Sequence, residues 1–205
     1  MFREMSPALR RRFSMRAFLA IPFSPDEHKM LESLQVSLAT MPALDDFRWA
    51  RPGNIHITLR FLGDIEEEKA EAAAEALRRA GEDAPAFDVS IDRFGVFPHL
   101  KRPNVLWAGP SETPEPLVEL EENLSRYLAE AGFPPGEGSF HPHLTIARRR
   151  SRDRPPAGLE GELEIAEQRW LTPPLVCRAR EAVLFRSELN PSGAIHTELE
   201  KVTLA

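Results

Sequence analysis

His56-Ile57-Thr58-Leu59 and His143-Leu144-Thr145-Ile146 are two copies of one pattern: a histidine, a threonine two places later, and an aliphatic residue after each. Side chains alternate faces along a strand, so the histidine and threonine of each copy point one way and the aliphatic residues the other, into a core. Two such strands facing one another make a paired acid-base site, because one imidazole takes a proton while the other gives one. That arrangement suits proton transfer at a phosphoryl or acyl centre. Either copy alone also fits a plain structural strand, since threonine is favoured there for its branched shape. Recurrence after 87 residues, in a comparable alternating context, argues for a shared role.

Working outward from the first copy, residues 16–21 read as a buried strand ended by Pro22, and Phe47-Arg48-Trp49 as a short one. Between them Ser24-Pro25-Asp26-Glu27 combines a capping serine, a first-turn proline and a glutamate three residues after the cap. Met30, Leu31, Leu34 and Leu38 follow at helical spacing, which predicts a helix over 25–39. Residues 55–62 alternate Ile55, Ile57, Leu59 and Phe61 against His56, Thr58 and Arg60. Gly63-Asp64 then reads as the start of an alanine- and glutamate-rich helix to about residue 80. Around the second copy, residues 87–91 and 105–107 read as strands, and Thr113-Pro114-Glu115 opens a helix carrying Leu117, Leu120, Leu124 and Leu128. Residues 176–185 and 195–204 look like closing strands about an Asn190-Pro191-Ser192-Gly193 turn. The expected fold is α+β, with two pseudo-symmetric lobes, each an antiparallel sheet flanked by helices, around a central cleft. Residues 1–14 are expected to be a disordered extension, with Met15 a candidate start, and 15–205 a single bilobal domain.

Composition narrows the functions. A formal net charge of −6 argues against coating long nucleic acid, which requires many phosphates to be neutralised at once; a small or terminal phosphate stays compatible. The only lysines are Lys29, Lys69, Lys101 and Lys201, while Arg148, Arg149, Arg150, Arg152 and Arg154 cluster after the second motif, as a solvated loop or an anion-attracting rim. The lone Cys177 makes no intrachain disulfide and predicts a reducing, cytoplasmic setting. No apolar run approaches a membrane span, and monomer is the default state. His141-Pro142-His143 raises the question of a metal, yet no cysteine pair or His-Glu-x-x-His helix completes a zinc set, so none is expected. Neither Gly-x-Ser-x-Gly nor a glycine-rich phosphate loop occurs.

His56-Ile57-Thr58-Leu59-Arg60-Phe61-Leu62-Gly63 and Phe140-His141-Pro142-His143-Leu144-Thr145-Ile146-Ala147-Arg148 resemble the two signatures of the two-histidine phosphoesterase superfamily. The closer likeness is to its bacterial and archaeal RNA 2′,3′-cyclic phosphodiesterases, historically called 2′-5′ RNA ligases. Residues 16–21, Val105-Leu106-Trp107-Ala108-Gly109 and Leu184-Phe185-Arg186-Ser187 with Gly193 extend the likeness over nearly everything from Met15 onward. His196 stands where such proteins often carry tyrosine and Ile146 where leucine is common, neither expected to touch the chemistry.

The resemblance implies hydrolysis of 2′,3′-cyclic phosphate ends of RNA or nucleotides to a 2′-phosphate, without metal or nucleotide cofactor. His143 is assigned as general base and His56 as general acid, with the reverse assignment open; Thr58 and Thr145 become hydroxyl donors to phosphate oxygens. By analogy Arg148 helps to hold the phosphate, although strict alternation puts it opposite His143 unless the strand ends or bulges. Phe18 is a candidate for stacking a base, against a core role. The competing functions are 2′-5′ ligation by the reverse reaction and a non-catalytic RNA- or nucleotide-binding module.

Overall fold

The computed structural model describes residues 14–136, 138–150, 155–190 and 193–205. The expectation for residues 1–14 therefore lies outside the described residues except at Ser14, as do Arg152, Arg154, Pro191 and Ser192. In chain order the elements are β1 (Ser14–Pro22), α1 (Pro25–Leu38), β2 (Phe47–Trp49), β3 (His56–Glu66), α2 (Glu67–Gly81), β4 (Phe87–Ile91), β5 (Arg93–His99), β6 (Arg102–Gly109), α3 (Glu115–Glu130), β7 (Leu144–Arg149), α4 (Leu159–Trp170), β8 (Leu175–Ala179), β9 (Glu181–Asn190) and β10 (Gly193–Thr203).

The antiparallel α+β architecture read from the sequence is present. All strand pairs are antiparallel, and the larger sheet runs β10-β9-β1-β3-β7-β6-β5, with β2 pairing β7 beyond the end of β3. The two lobes share this one eight-stranded sheet. Within it β3 and β7 meet where Ile57 pairs with Leu144, at the middle of the two histidine motifs. β4 and β8 form a separate two-stranded sheet. One buried core, drawing Leu19, Leu31, Ile57, Leu77, Leu106, Leu117, Leu144 and Leu184 from both halves, lies beneath the sheet against the helices. The opposite face is left open for a cleft.

Local chemistry explains the elements. Ser24 accepts the Glu27 amide at 3.3 Å while Glu27 accepts the Ser24 amide at 2.7 Å, the reciprocal cap that starts α1. In α3, Leu117, Leu120, Leu124 and Leu128 form one buried stripe. Gly63-Asp64 does not start a helix. β3 continues to Glu66 because Met15 and Ser14 of β1 pair with Ile65 and Glu66, and Gly63 takes a positive φ of 72° that lets the strand bend there. The run 176–185 is likewise two strands, broken at Arg180 between β8 and β9, which join different sheets.

Candidate active site

Each histidine strand departs from regular alternation just after its threonine. In β3 the partners of Leu19 and Ala20 are Arg60 and Thr58, so Leu59 is an extra, unmatched residue. In β7 the partners of Leu106 and Trp107 are Ala147 and Thr145, so Ile146 is extra in the same way. A bulge exchanges the faces of the residues after it. Phe61 and Arg148, each five residues after its histidine, thereby line the cleft alongside His56, Thr58, His143 and Thr145. The condition that the sequence set for Arg148 is thus met by a bulge. The carbonyl of Ile146 is not wasted: it accepts the Ala50 amide at 2.9 Å and the side chain of Gln35, 5% exposed, also at 2.9 Å.

The cleft is a cavity of about 710 Å³ that both halves line. Inside it the two rings are held alike. His56 Nδ1 donates to the Asn54 carbonyl at 2.8 Å and His143 Nδ1 to the His141 carbonyl at 2.7 Å, in both cases two residues upstream. A carbonyl only accepts, so each neutral ring carries its proton on Nδ1 and leaves Nε2 with a lone pair. His56 Nε2 lies 3.1 Å from the Thr58 hydroxyl. Burial, then the neighbouring His196, push the His56 imidazolium down to about 4 from the ordinary 6.5, against the Asn54 carbonyl that favours it. Burial also lowers His143, with the His141 carbonyl opposing and His141 and Arg148 adding to the fall. Both rings are poised neutral until an anion enters.

Several expected roles change with this geometry. Phe18 is 3% exposed, its ring stacked on His56 at 4.9 Å and on Phe185 at 5.3 Å, so it backs the histidine and offers no face to a base. Phe61, read as core, is 71% exposed because of the bulge. Arg60 turns to the helix side, donating to Ser125 Oγ at 3.3 Å and the Pro134 carbonyl at 2.8 Å. His196, expected to stand apart from the site, packs against its first histidine: its ring centroid is 5.5 Å from that of His56 and 4.9 Å from Phe18. The arginine run divides, since Arg148 faces the cleft while Arg149 is bound to Asp46 at 3.0 Å with its side chain 5% exposed. Among the described residues no group of three or more histidine, cysteine or carboxylate side chains is placed to hold a metal.

The family model described as the 2′-5′ RNA ligase superfamily matches residues 32–191. The chain belongs to the 2′-5′ RNA ligase superfamily. Within it, the chain is 34% identical over 189 residues to the RNA 2′,3′-cyclic phosphodiesterase of Methanothermobacter thermautotrophicus, covering 91% of this chain and 97% of that protein. The similarly named protein of Thermotoga maritima is 30% identical, covering 90% and 93%. Among solved structures, TT0787 of Thermus thermophilus superposes with a TM-score of 0.71 at 27% identity, over 93% of this chain and 98% of that one. Apo LigT of Escherichia coli gives 0.69 at 25% identity over 94% and 98%, and the same LigT has been solved with 3′-AMP.

In this superfamily member the sequence motifs account for the centre of the cleft but not its surround. Asn54 holds His56 from a turn, Phe61 and Arg148 arrive through bulges, and Arg48 and His196 come from strands with no histidine motif. The Arg48 position had one sequence signal, a charged residue inside the apolar pair Phe47 and Trp49. His196 had none beyond its departure from the tyrosine pattern.

Proposed function

We propose that the protein hydrolyses 2′,3′-cyclic phosphate ends of RNA or nucleotides to a 2′-phosphate, with His56 and His143 as the acid-base pair. The observation that carries this reading is the meeting of both histidine-threonine pairs in one cavity, each ring held by the same Nδ1-to-carbonyl bond. Water attacks phosphorus in line while its proton passes to His143 Nε2; the bond from phosphorus to the 3′ oxygen breaks as His56 delivers a proton to that oxygen. Thr58 and Thr145 donate to the equatorial oxygens, and Arg148, farther along the cleft, makes the site attractive to anions at longer range. Phe61, with its exposed ring, stacks the base. These side chains supply every group the reaction needs, so no metal or nucleotide cofactor enters it.

The assignment of acid and base follows from the walls. Phe61, 71% exposed beyond Phe18 on the His56 side, draws the nucleoside and its leaving oxygen there, while Phe97 packs edge-on against His143 at 4.9 Å; water reaches His143. Ligation runs the same site backwards and loses to bulk water. A non-catalytic binder has no use for both histidines. We place the enzyme, as a monomer, in a reducing compartment, in keeping with the fully buried free thiol of Cys177. Among the described residues no helix is long and apolar enough to cross a membrane.

Phosphorus NMR of 2′,3′-cyclic AMP incubated with the protein tests the reaction: the expected product is the 2′-monophosphate alone, and formation of the 3′ isomer or no turnover overturns it. An aryl phosphodiester, whose leaving group needs no proton, tests the roles. His56→Ala is expected to keep most of its activity on the aryl ester and His143→Ala to lose it.

A further inference from the structure

Arg48 of β2 and Arg148 of β7 are direct cross-strand partners. Opposed residues in an antiparallel pair project on one face with their side chains in reach, where like charges repel. Both line the cleft and both are exposed. Neither makes an ion pair or side-chain hydrogen bond among the described residues, although the neighbouring Arg149 is satisfied by Asp46. The chain has 32 acidic residues against 26 basic ones, so carboxylates to neutralise this pair were available in composition and are not placed there. β2 is three residues long with Arg48 at its centre, and Phe47 is buried in the core while Arg48 is exposed.

Position separates this pair from the reacting centre. β3 and β7 run antiparallel from their single shared pair, Ile57 and Leu144, so the residues after Thr58 and those after Thr145 move apart. Phe61 lies toward one end of the cleft and Arg148 toward the other. Arg148 is three residues past Thr145, about 10 Å of strand. The reacting phosphate already has two hydroxyls and two imidazoles at the middle. Two guanidinium groups side by side at one end match a further phosphate, which each can meet with paired N–H donors.

We propose that Arg48 and Arg148 form a second anion site, which holds a phosphate of the substrate other than the one that reacts. The proposal rests on the cyclic-phosphate reading of the central site and narrows its substrate to a cyclic-ended molecule carrying at least one more phosphate. A strand end satisfies this, with its last base toward Phe61 and its preceding phosphodiester toward the arginines; so does a mononucleotide bearing a 5′-phosphate. A cyclic mononucleoside phosphate with no other phosphate leaves the site empty.

Calorimetric binding of the intact protein to product-type ligands tests this without turnover. The ligands are adenosine 2′-phosphate, adenosine 2′,5′-bisphosphate, and an adenosine dinucleotide ending in a 2′-phosphate. One or both of the ligands with a second phosphate are expected to bind at least about tenfold tighter than the monophosphate, the scale of a charge-assisted hydrogen bond. The one with the larger advantage identifies the source as strand phosphodiester or terminal monoester. In Arg48→Gln that advantage is expected to fall to about twofold or less while the melting temperature holds or rises, because a like-charge pair has been relieved. Equal binding of all three ligands by the wild type, an advantage unchanged in Arg48→Gln, or a lowered melting temperature that assigns Arg48 to the fold would each overturn the proposal. A protein that prefers the second phosphate yet turns over no cyclic phosphate would fail the hydrolysis reading and leave this site standing.

Discussion

An imidazole whose Nδ1 proton is committed to a backbone carbonyl has one free nitrogen and one way to face, and this single bond turns a strand histidine into a directed acid or base. At His56 the arrangement has a thermodynamic signature. Its folded-state value, pushed to about 4, lies below the ordinary 6.5 of an unfolded chain, so the unfolded state binds more protons between those limits. The corresponding stability is present above about pH 6.5 and is lost as pH falls toward 4, by on the order of 3 kcal/mol at most. Urea unfolding at pH 7.5 and pH 5 checks this: the wild type is expected to lose more than His56→Gln, and equal losses would contradict the burial of a neutral ring. Catalysis follows the same electrostatics. An anionic phosphate in the cleft raises both imidazoles, so both limbs of the bell-shaped kcat profile are expected at higher pH than those of kcat/KM. The histidines and threonines were legible in the sequence because a period of two is local. Phe61 was misread as core, and the choice between core and stacking roles at Phe18 stayed open, since a bulge and a three-ring stack depend on partner strands that the local pattern does not name.

The elements show where such reading works and where it stops. α1 was legible from its cap and its leucines because both signals lie within its own residues. α2 was placed too early: glycine and aspartate do favour a helix start, but β1 offered Ile65 and Glu66 a ladder, and pairing outweighed the cap. β5 carries Gly95 and Pro98 in place of clean alternation, and the sequence did not reveal it; α4 was missed too. Gln35 was likewise unremarked on its helix, yet it is the buried clasp of the β7 bulge, donating to both Ile146 and Ala50. Gln35→Ala is expected to cost about 1–3 kcal/mol through unsatisfied carbonyls and to weaken phosphate binding as Arg148 loses its register; melts together with KM measure both. Gly109 belongs to the same machinery. A Cβ there would stand 2.9 Å from the Pro142 carbonyl and 3.5 Å from His143 Cα. Gly109→Ala is expected to lower kcat ten- to a hundredfold by displacing the His143 segment, and unchanged kcat would show that segment to be tolerant.

At the scale of the molecule, two lobes with similar strands share one sheet in which β3 and β7 meet at a single register pair, and the site exists because that pair joins the two motifs. Neither lobe alone holds an acid and a base. The sequence disclosed the two halves through repetition, while their fusion into one eight-stranded sheet is a property of closure that no local segment encodes. An acidic chain with a basic cleft also follows from this scale, as arginines from β2, β7 and the turn before β3 converge only in the assembled sheet. The central claim is that His56 and His143 act on one phosphate as a unit. Turnover of 2′,3′-cyclic AMP by His56→Ala, His143→Ala and the double variant tests it directly. Each single substitution is expected to lower kcat by at least about a hundredfold, with the double variant little worse than either, as groups sharing one transition state behave. A single variant within a few-fold of wild type, or losses that multiply in the double variant, would contradict it.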